Sequence, residues 1–269
     1  MNPEPVTPWP PHRPGRTVFS QRWRQVAFLH WALDPAAVEP LLPPATRPDV
    51  LNGVSYVGLI AFRGLRAGVL GSPGLPYLGT FPEVNVRLYS VDDDGRRGVV
   101  FLSLDASRLV PVLVARGLAR LPYAWSSMRV RRAATGWDYR TRRRWPGPRG
   151  RSSRLTVRVG ERILAPSPLD LFVTARWRLH QTAWGRTWQW PVEHPPWPLH
   201  RADLVSLDDE LVAAAGIPVS GPPDTVHWSP GVDASFGPRH AVTPRPTSAL
   251  RPGTSAARHG REQPTSPPA

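Results

Sequence analysis

A strict alternation of polar and apolar side chains between residues 83 and 89 constrains the fold of this chain more than any other feature. The polar members are Glu83, Asn85, Arg87 and Tyr89, and the aliphatic members between them are Val84, Val86 and Leu88. Because successive side chains of a strand point to opposite faces, the pattern predicts a β-strand with one polar face and one apolar face. The polar face belongs either to a solvent-facing edge of an antiparallel sheet or to the wall of a cavity.

Proline and glycine are too frequent for a helical bundle. The 269 residues include 35 prolines and 22 glycines, a composition that suits short strands joined by turns. Ser167 followed by Asp170 resembles a capping box at the start of a helix, and Ser107 is placed to cap another helix that runs to about Ala119. The sequence therefore predicts an α+β protein, dominated by antiparallel strands with a few short helices.

Two further segments carry specific expectations. Residues 64–79 are interrupted by glycines and prolines and predict a loop, which is either a lid over a site or a long connection. Residues 184–190 predict a strand with three tryptophans on one side, which would supply a large buried area rather than a ligand cage.

Composition separates one expected domain from two tails. Residues 1–16 contain six prolines, and residues 237–269 are rich in proline and arginine, so both segments are expected to be disordered. Residues 17–236 form the single expected domain. The N-terminus carries no secretory signal pattern, and no apolar run approaches the ~18 residues that a membrane span needs, so we expect a cytoplasmic protein without a membrane partner.

All 34 basic residues are arginine, and the chain contains neither lysine nor cysteine. Since arginine stays protonated in proteins, this composition excludes Schiff-base chemistry by a lysine and nucleophilic chemistry by a thiolate. No histidine pair has the spacing of a helical metal site, and nucleotide-binding glycine motifs are absent. No metal and no cofactor is therefore expected.

The net charge of +14 is concentrated in two segments. Residues 129–162 contain 12 arginines against Asp138 and Glu161, a net charge of +10, and residues 237–269 add the remaining +4. The segment from Arg129 to Arg162 is either a set of solvated hairpins or a surface for a polyanion such as nucleic acid. A nucleic-acid partner is the weaker interpretation, because no helix-turn-helix, zinc-finger or aromatic RNA-binding signature accompanies the charge.

Several short segments, in this order and over roughly residues 20–230, resemble the YqjF-like family, a distant branch of the acetoacetate decarboxylase-like superfamily. They are Phe28-Leu29-His30-Trp31, Leu42-Pro43-Pro44, Glu83 to Tyr89, Gly98 to Asp105, Ala115-Arg116, Leu121-Pro122-Tyr123 and Pro196-Trp197-Pro198-Leu199. The resemblance implies a cone-like antiparallel β-barrel with flanking short helices and a central cavity. It also implies that Glu83 lies on the cavity wall and that a Schiff-base lysine would fall near Ala124 or Trp125, where this chain has none.

These observations together predict a small-molecule-binding protein with a decarboxylase-like cavity for a carboxylate- or carbonyl-bearing ligand. If the ligand is turned over, Glu83 is the expected general acid or base, and Arg87 is expected to stabilise negative charge. Asn85, Tyr89, Arg116 and Tyr123 are the expected ligand-binding residues. The alternative is a basic protein that binds polyanions through the Arg129–Arg162 surface, and the sequence carries no signal for an oligomeric state.

Overall fold

The computed structural model describes residues 2–12 and 15–243 of the chain. Strands predominate, and the four α-helices in this part of the chain are short. The strands are β1 Phe19–Leu33, β2 Thr46–Pro48, β3 Ser55–Val69, β4 Phe81–Asp92, β5 Arg97–Ala106, β6 Tyr123–Arg132, β7 Gly136–Trp145, β8 Ser152–Arg162, β9 Arg178–Ala183, β10 Arg186–Glu193, β11 His200–Asp209, β12 Thr225–Phe236 and β13 His240–Ala241. The helices are α1 Pro35–Val38, α2 Leu109–Leu118, α3 Pro168–Thr174 and α4 Leu211–Ala214, with a 3-10 turn at Glu39–Leu41 after α1.

All 13 strands belong to one mixed sheet that curves into a ring. Neighbouring strands are mostly antiparallel, and β4 pairs with β5 to join the two ends of the series β5-β6-β7-β8-β11-β12-β1-β3-β4. The strands β9 and β10 form a second, shorter path from β5 to β12. The strands β12, β1, β3, β4 and β5 are therefore shared by two enclosures, one on each face.

The first enclosure is filled by the main hydrophobic core. It contains the apolar face of β4, with Val84, Val86 and Leu88 all fully or almost fully buried. Side chains of β1, β3, β7 and β8, such as Leu59 and Tyr139, complete this core. Because alternate side chains point the other way, the polar face of β4 is turned into the second enclosure, beneath β9, β10 and α2.

A buried ion pair ties β5 to β7 beside this core. Arg143 donates two hydrogen bonds to the Asp105 carboxylate, from Nε to Oδ1 at 2.9 Å and from Nη2 to Oδ2 at 2.6 Å. The Ser126 hydroxyl donates to Oδ1 at 2.6 Å. All three side chains are buried, so the charges are compensated by each other rather than by water.

Helix starts match the expected caps in one case and not in the other. The capping box of α3 is confirmed, because Ser167 and Asp170 each accept a bond from the other's backbone N–H. The prediction that Ser107 caps the next helix is wrong: α2 begins at Leu109, and its N-cap residue Arg108 makes no side-chain capping bond. The predicted tryptophan strand is also displaced, because Trp184 has a φ of 52° and lies in the turn between β9 and β10.

The two expected tails differ in how much of each the structure describes. Residues 2–12 contain no helix or strand, but the Glu4 carboxylate accepts hydrogen bonds from the Arg178 side chain and, at 2.9 Å, from the backbone N–H of Arg97. Strand β13 lies within the expected C-terminal tail and pairs with β10. Residues 244–269 lie outside the described residues. None of the helices in the described part of the chain combines the length and the apolar character needed to cross a bilayer.

Candidate functional site

The second enclosure holds a cavity of about 670 Å³ against the polar face of β4. Side chains of β1 and β3, including Phe28, Ile60 and Phe62, form one wall. Residues of α2 and of the loop after β3 line the cavity at the end where β4 begins. Among the described lining residues, Glu83 is the only carboxylate and Arg87 the only guanidinium, so the strand that carries both is the polar side of an otherwise apolar space.

Glu83 is 4% exposed and forms a hydrogen-bonded group with two neighbours. The Tyr123 hydroxyl donates to Glu83 Oε2 at 3.0 Å, and the Asn85 side chain also bonds to this carboxyl. Burial raises the pKa of Glu83 to about 7, although the bonds from Tyr123 and Asn85 oppose that rise. Burial and the neighbouring Glu83 raise the pKa of Tyr123 well above its ordinary value, so this phenol stays a hydrogen-bond donor at neutral pH. A carboxyl with a pKa near 7 can both give and take a proton under cellular conditions.

Asn85 lies between Glu83 and Arg87 on the same face of the strand. It is buried, and its Oδ1 has no hydrogen-bond partner in the described part of the chain. A buried acceptor without a partner costs free energy, so this atom is a place where a ligand donor or a water would be stabilised.

Arg87 is held by oxygens without a formal charge. Its Nη2 donates to the carbonyl of Val173 at 2.8 Å and its Nε donates to the hydroxyl of Tyr89 at 3.1 Å. It forms no ion pair with any carboxylate of the described residues. Glu83 is not its partner, because four residues of a strand separate their Cα atoms by about 13 Å. No carboxylate of the described residues therefore compensates the guanidinium, which favours an anionic ligand.

Tyr89 fixes the position of this guanidinium rather than lining the cavity. Its hydroxyl donates to the Val173 carbonyl at 2.8 Å and lies 2.7 Å from Nε2 of the fully buried His30. His30 Nδ1 lies 3.2 Å from the Thr225 hydroxyl. The backbone of Gly58 allows this arrangement, since a Cβ atom at that position would lie 3.0 Å from the His30 ring. His30 is therefore fully buried, with a side-chain contact at each ring nitrogen.

The structure brings four of the six predicted site residues to the cavity and leaves two outside it. Glu83, Asn85, Arg87 and Tyr123 line it. Tyr89 is packed behind the wall against Tyr56 and Phe172. Arg116 is a correction to the prediction: it is not among the lining residues, because its guanidinium donates to the Tyr123 carbonyl at 2.6 Å and lies over the ring of Trp145.

Residues missed by sequence reasoning include Gln21 and Trp23 on β1 and Trp197 after β10. Trp23 Nε1 donates to Gln21 Oε1 at 2.9 Å, and the ring of Trp23 stacks on Trp197. The alternation of Gln21 and Trp23 in the first strand was the available signal, because residues two apart share a face. No cluster of histidine, aspartate and glutamate suited to a metal ion occurs in residues 2–12 or 15–243.

Comparisons with known proteins agree with this architecture. The family model DUF2071, described as an uncharacterized conserved protein, matches residues 20–233. The chain is 29% identical over 232 residues to the uncharacterized protein YqjF of Bacillus subtilis (strain 168), and the match covers 83% of this chain and 92% of YqjF.

Solved structures are similar in fold at low sequence identity. Acetoacetate decarboxylase from Legionella pneumophila subsp. pneumophila str. Philadelphia 1 aligns with a TM-score of 0.61 at 11% identity, covering 87% of this chain and 91% of that enzyme. The enduracididine biosynthesis enzyme MppR, complexed with pyruvate, aligns with a TM-score of 0.53 at 17% identity, covering 87% of this chain and 93% of MppR. The predicted acetoacetate decarboxylase-type fold is confirmed.

Proposed function

The chain belongs to the DUF2071 family, and from this premise we propose that its cavity binds a carboxylate- or carbonyl-bearing small molecule and exchanges a proton with it without a covalent intermediate. The observation that carries the proposal is the pair of groups on one wall of the cavity: a buried carboxyl with a pKa of about 7 and a guanidinium without a carboxylate partner.

The two groups have different roles. Arg87 binds and orients the anionic group of the ligand, because its charge is compensated by no carboxylate of the described residues. Glu83 gives or takes the proton, and Tyr123 holds the Glu83 carboxyl in place through its hydroxyl. Asn85 Oδ1 accepts a hydrogen bond from the ligand or from a bound water.

Covalent decarboxylation through a Schiff base does not fit this chain. The sequence has no lysine, and the family resemblance implies that one would fall near Ala124 or Trp125. Ala124 is buried in β6, and Trp125 lies beneath the guanidinium of Arg144. The acid–base interpretation needs only side chains that are present. The pyruvate complex of MppR supports an oxo acid as the general class of ligand.

Arg87→Met is expected to weaken binding of a carboxylate ligand by about thirtyfold, equivalent to about 2 kcal/mol, because it removes the guanidinium partner. A panel of carboxylates and ketones is screened by the shift in melting temperature, and the dissociation constants of the hits are then measured for both proteins. Arg116→Met is the control, since it removes an arginine that is also half-buried but does not line the cavity. Arg87→Lys keeps a charge and preserves binding in part.

Equal loss of affinity in the Arg87→Met and Arg116→Met variants would contradict the assignment of Arg87 as the anion site. A melting curve of each variant without ligand separates this outcome from unfolding.

A polyanion-binding surface is the second candidate function. The exposed faces of β6, β7 and β8 place Arg129, Arg140 and Arg154 directly beside one another across the sheet. Arg140 has Asp138 at 3.0 Å, whereas Arg129 and Arg154 form no ion pair within the described residues. Like charges on adjacent strands repel, so this row gains stability from a bound anion.

We expect the double variant Arg129→Ser, Arg154→Ser to lower the dependence of duplex DNA binding on salt by about two in the slope of log K against log salt concentration. The control is Arg22→Ser, Arg24→Ser, which removes two arginines of β1 that lie outside this segment and are both paired with Asp233. If both double variants change the slope equally, binding reflects total charge and the surface has no specific role.

A further inference from the structure

The cavity is much larger than a three-carbon acid requires. Its volume of about 670 Å³ lies within the range of sites for sizeable small molecules. At about 30 Å³ for each water in the liquid, this space corresponds to roughly 20 waters, whereas a small oxo acid displaces only a few. A ligand that fills the cavity therefore has a substantial body beyond its carboxylate.

The walls beyond the polar row are apolar. They are formed by aromatic and aliphatic side chains from several elements, including Phe28, Phe62, Phe101, Trp190 and Trp197. Uncharged polar lining comes mainly from Gln21, Ser72 and Asn85. Since apolar surface is stabilised by contact with apolar groups, the body of the ligand is expected to be hydrocarbon-like.

The same apolar character continues to the surface where β4 begins. Leu75 and Leu78 of the loop after β3 line the cavity together with Val110, Val114 and Leu118 of α2. Leu118 is 74% exposed and Val114 is 52% exposed, so these side chains belong both to the cavity and to the protein surface. Exposed apolar patches of this kind commonly mark binding sites.

Loop and helix are joined at one point of this opening. The guanidinium of Arg108, at the start of α2, lies 4.1 Å from the ring centroid of Tyr77 in the loop, and Nη1 donates to the Tyr77 hydroxyl at 3.3 Å. This contact is a cation–π interaction at the protein surface and holds the two sides of the opening near each other.

The order of residues along β4 gives the ligand a direction. Phe81 begins the strand next to the loop, and Arg87 lies six residues further along, about 20 Å at the rise of an extended strand. A carboxylate at Arg87 is therefore at the inner end of the cavity. A chain attached to it passes Asn85 and Glu83 before it reaches the opening.

We propose that the ligand is an amphipathic monocarboxylate with an extended apolar body, bound with its carboxylate at Arg87 and its apolar end between the loop at Leu75 and helix α2 at Val114. This inference rests on the proposed function, because it uses the same anion site. It adds the size and polarity of the ligand, which the anion site alone does not determine.

The test measures dissociation constants for butanoate, octanoate and dodecanoate by titration calorimetry with the full chain, below the concentration at which the longer acids aggregate. We expect affinity to increase about fourfold for each methylene group that becomes buried. Octanoate has four more methylene groups than butanoate, so it is expected to bind roughly 250-fold more tightly if all four are buried. Octan-1-ol, which has the same body without the charge, is expected to bind more weakly than octanoate, and Arg87→Met removes this difference.

Two variants of α2 test the apolar end. Val114→Asp is expected to weaken dodecanoate binding at least tenfold more than it weakens butanoate binding, because Val114 lines the cavity. Leu113→Asp is the matched control on the neighbouring position: Leu113 is 48% exposed and is not among the lining residues, so no affinity changes.

The outcomes separate this inference from the function on which it rests. Butanoate or pyruvate binding as tightly as dodecanoate would overturn the inference and leave the proposed function in place. If neither a carboxylate of any length nor a ketone of the screening panel binds, both fail. Octanol binding as tightly as octanoate would overturn the carboxylate assignment, and equal effects of Val114→Asp and Leu113→Asp would overturn the placement of the apolar end.

Discussion

Asp105→Asn is expected to lower the free energy of unfolding by about 3–5 kcal/mol, because it leaves the buried Arg143 guanidinium without its charged partner. Asp105 is inaccessible to solvent and Arg143 nearly so. The Oδ1 of an asparagine can still accept the bonds from Arg143 Nε and from Ser126, but Arg143 Nη2 loses its acceptor and the new side chain carries no charge to compensate the guanidinium. Urea denaturation of both proteins measures the difference at equal m-values.

The size of this effect depends on burial, and an exposed pair in the same sheet provides the control. Asp203 and Arg158 are joined at 3.0 Å by side chains that are each more than half exposed. Asp203→Asn is expected to cost at most about 1 kcal/mol, since water compensates the charge that remains. The double variant Asp105→Asn, Arg143→Met is expected to recover part of the loss. Similar losses for Asp105→Asn and Asp203→Asn would show that the buried pair contributes no more than a surface pair.

The polar strand could be oriented from the sequence because its signal is local. Period-two alternation places Val84, Val86 and Leu88 on one face of the strand independently of tertiary structure, and this face packs in the main hydrophobic core. The choice between solvent and cavity for the opposite face needed the family resemblance, since both surroundings produce the same alternation. Local patterns are less reliable for residues 64–79, which were expected to form a loop. Strand β3 continues to Val69, because its backbone pairs with β1 as far as Phe19.

Contacts between distant segments could not be predicted in this way. The Tyr89 hydroxyl is enclosed by Val173 and His30, which lie 84 and 59 positions away in the sequence. Arg116 is an expected ligand-binding residue, but its guanidinium donates to the backbone carbonyl of Tyr123 instead. The pairing of Asp105 with Arg143 follows from the parallel pairing of β5 with β6. No periodic pattern in the sequence indicates that these two strands pair. Side-chain partners of charged groups thus depend on tertiary structure, whereas strand faces do not.

Above neutral pH, Glu83→Gln is expected to be more stable than the unmodified protein by about 3 kcal/mol. This value follows from a pKa of Glu83 that differs by roughly 2.5 units between the folded and unfolded states. The ordinary pKa of 4.5 applies to the unfolded chain, and burial raises the folded value to about 7. Between these values the folded protein holds a proton that the unfolded chain has released. The stabilisation that Glu83 gives is therefore complete below about pH 4.5 and is lost as the pH rises to about 7.

The measurement is the difference in unfolding free energy between Glu83→Gln and the unmodified protein at several pH values from 4.5 to 8. Taking the difference cancels the titration of groups common to both proteins, such as His180 and His194, whose pKa values burial lowers to about 4. Tyr123→Phe is the matched control. It keeps the carboxyl but removes a hydrogen bond that lowers its pKa, so the loss of stability shifts to higher pH.

A pH-independent difference between Glu83→Gln and the unmodified protein would mean that Glu83 ionises as it does in water, and the acid–base role would lose its physical basis. Two results together would instead identify the Glu83 carboxyl as the titrating group. The gain in unfolding free energy of Glu83→Gln over the unmodified protein grows with pH, and the pH-dependent loss of stability in Tyr123→Phe occurs at higher pH than in the unmodified protein. The phenol of Tyr123 stays protonated throughout this range, so its own titration does not contribute to the pH dependence of stability. The proposed proton exchange uses the same carboxyl, so activity on a ligand is expected to follow the folded-state pKa of about 7, the value at which the loss of stability is complete.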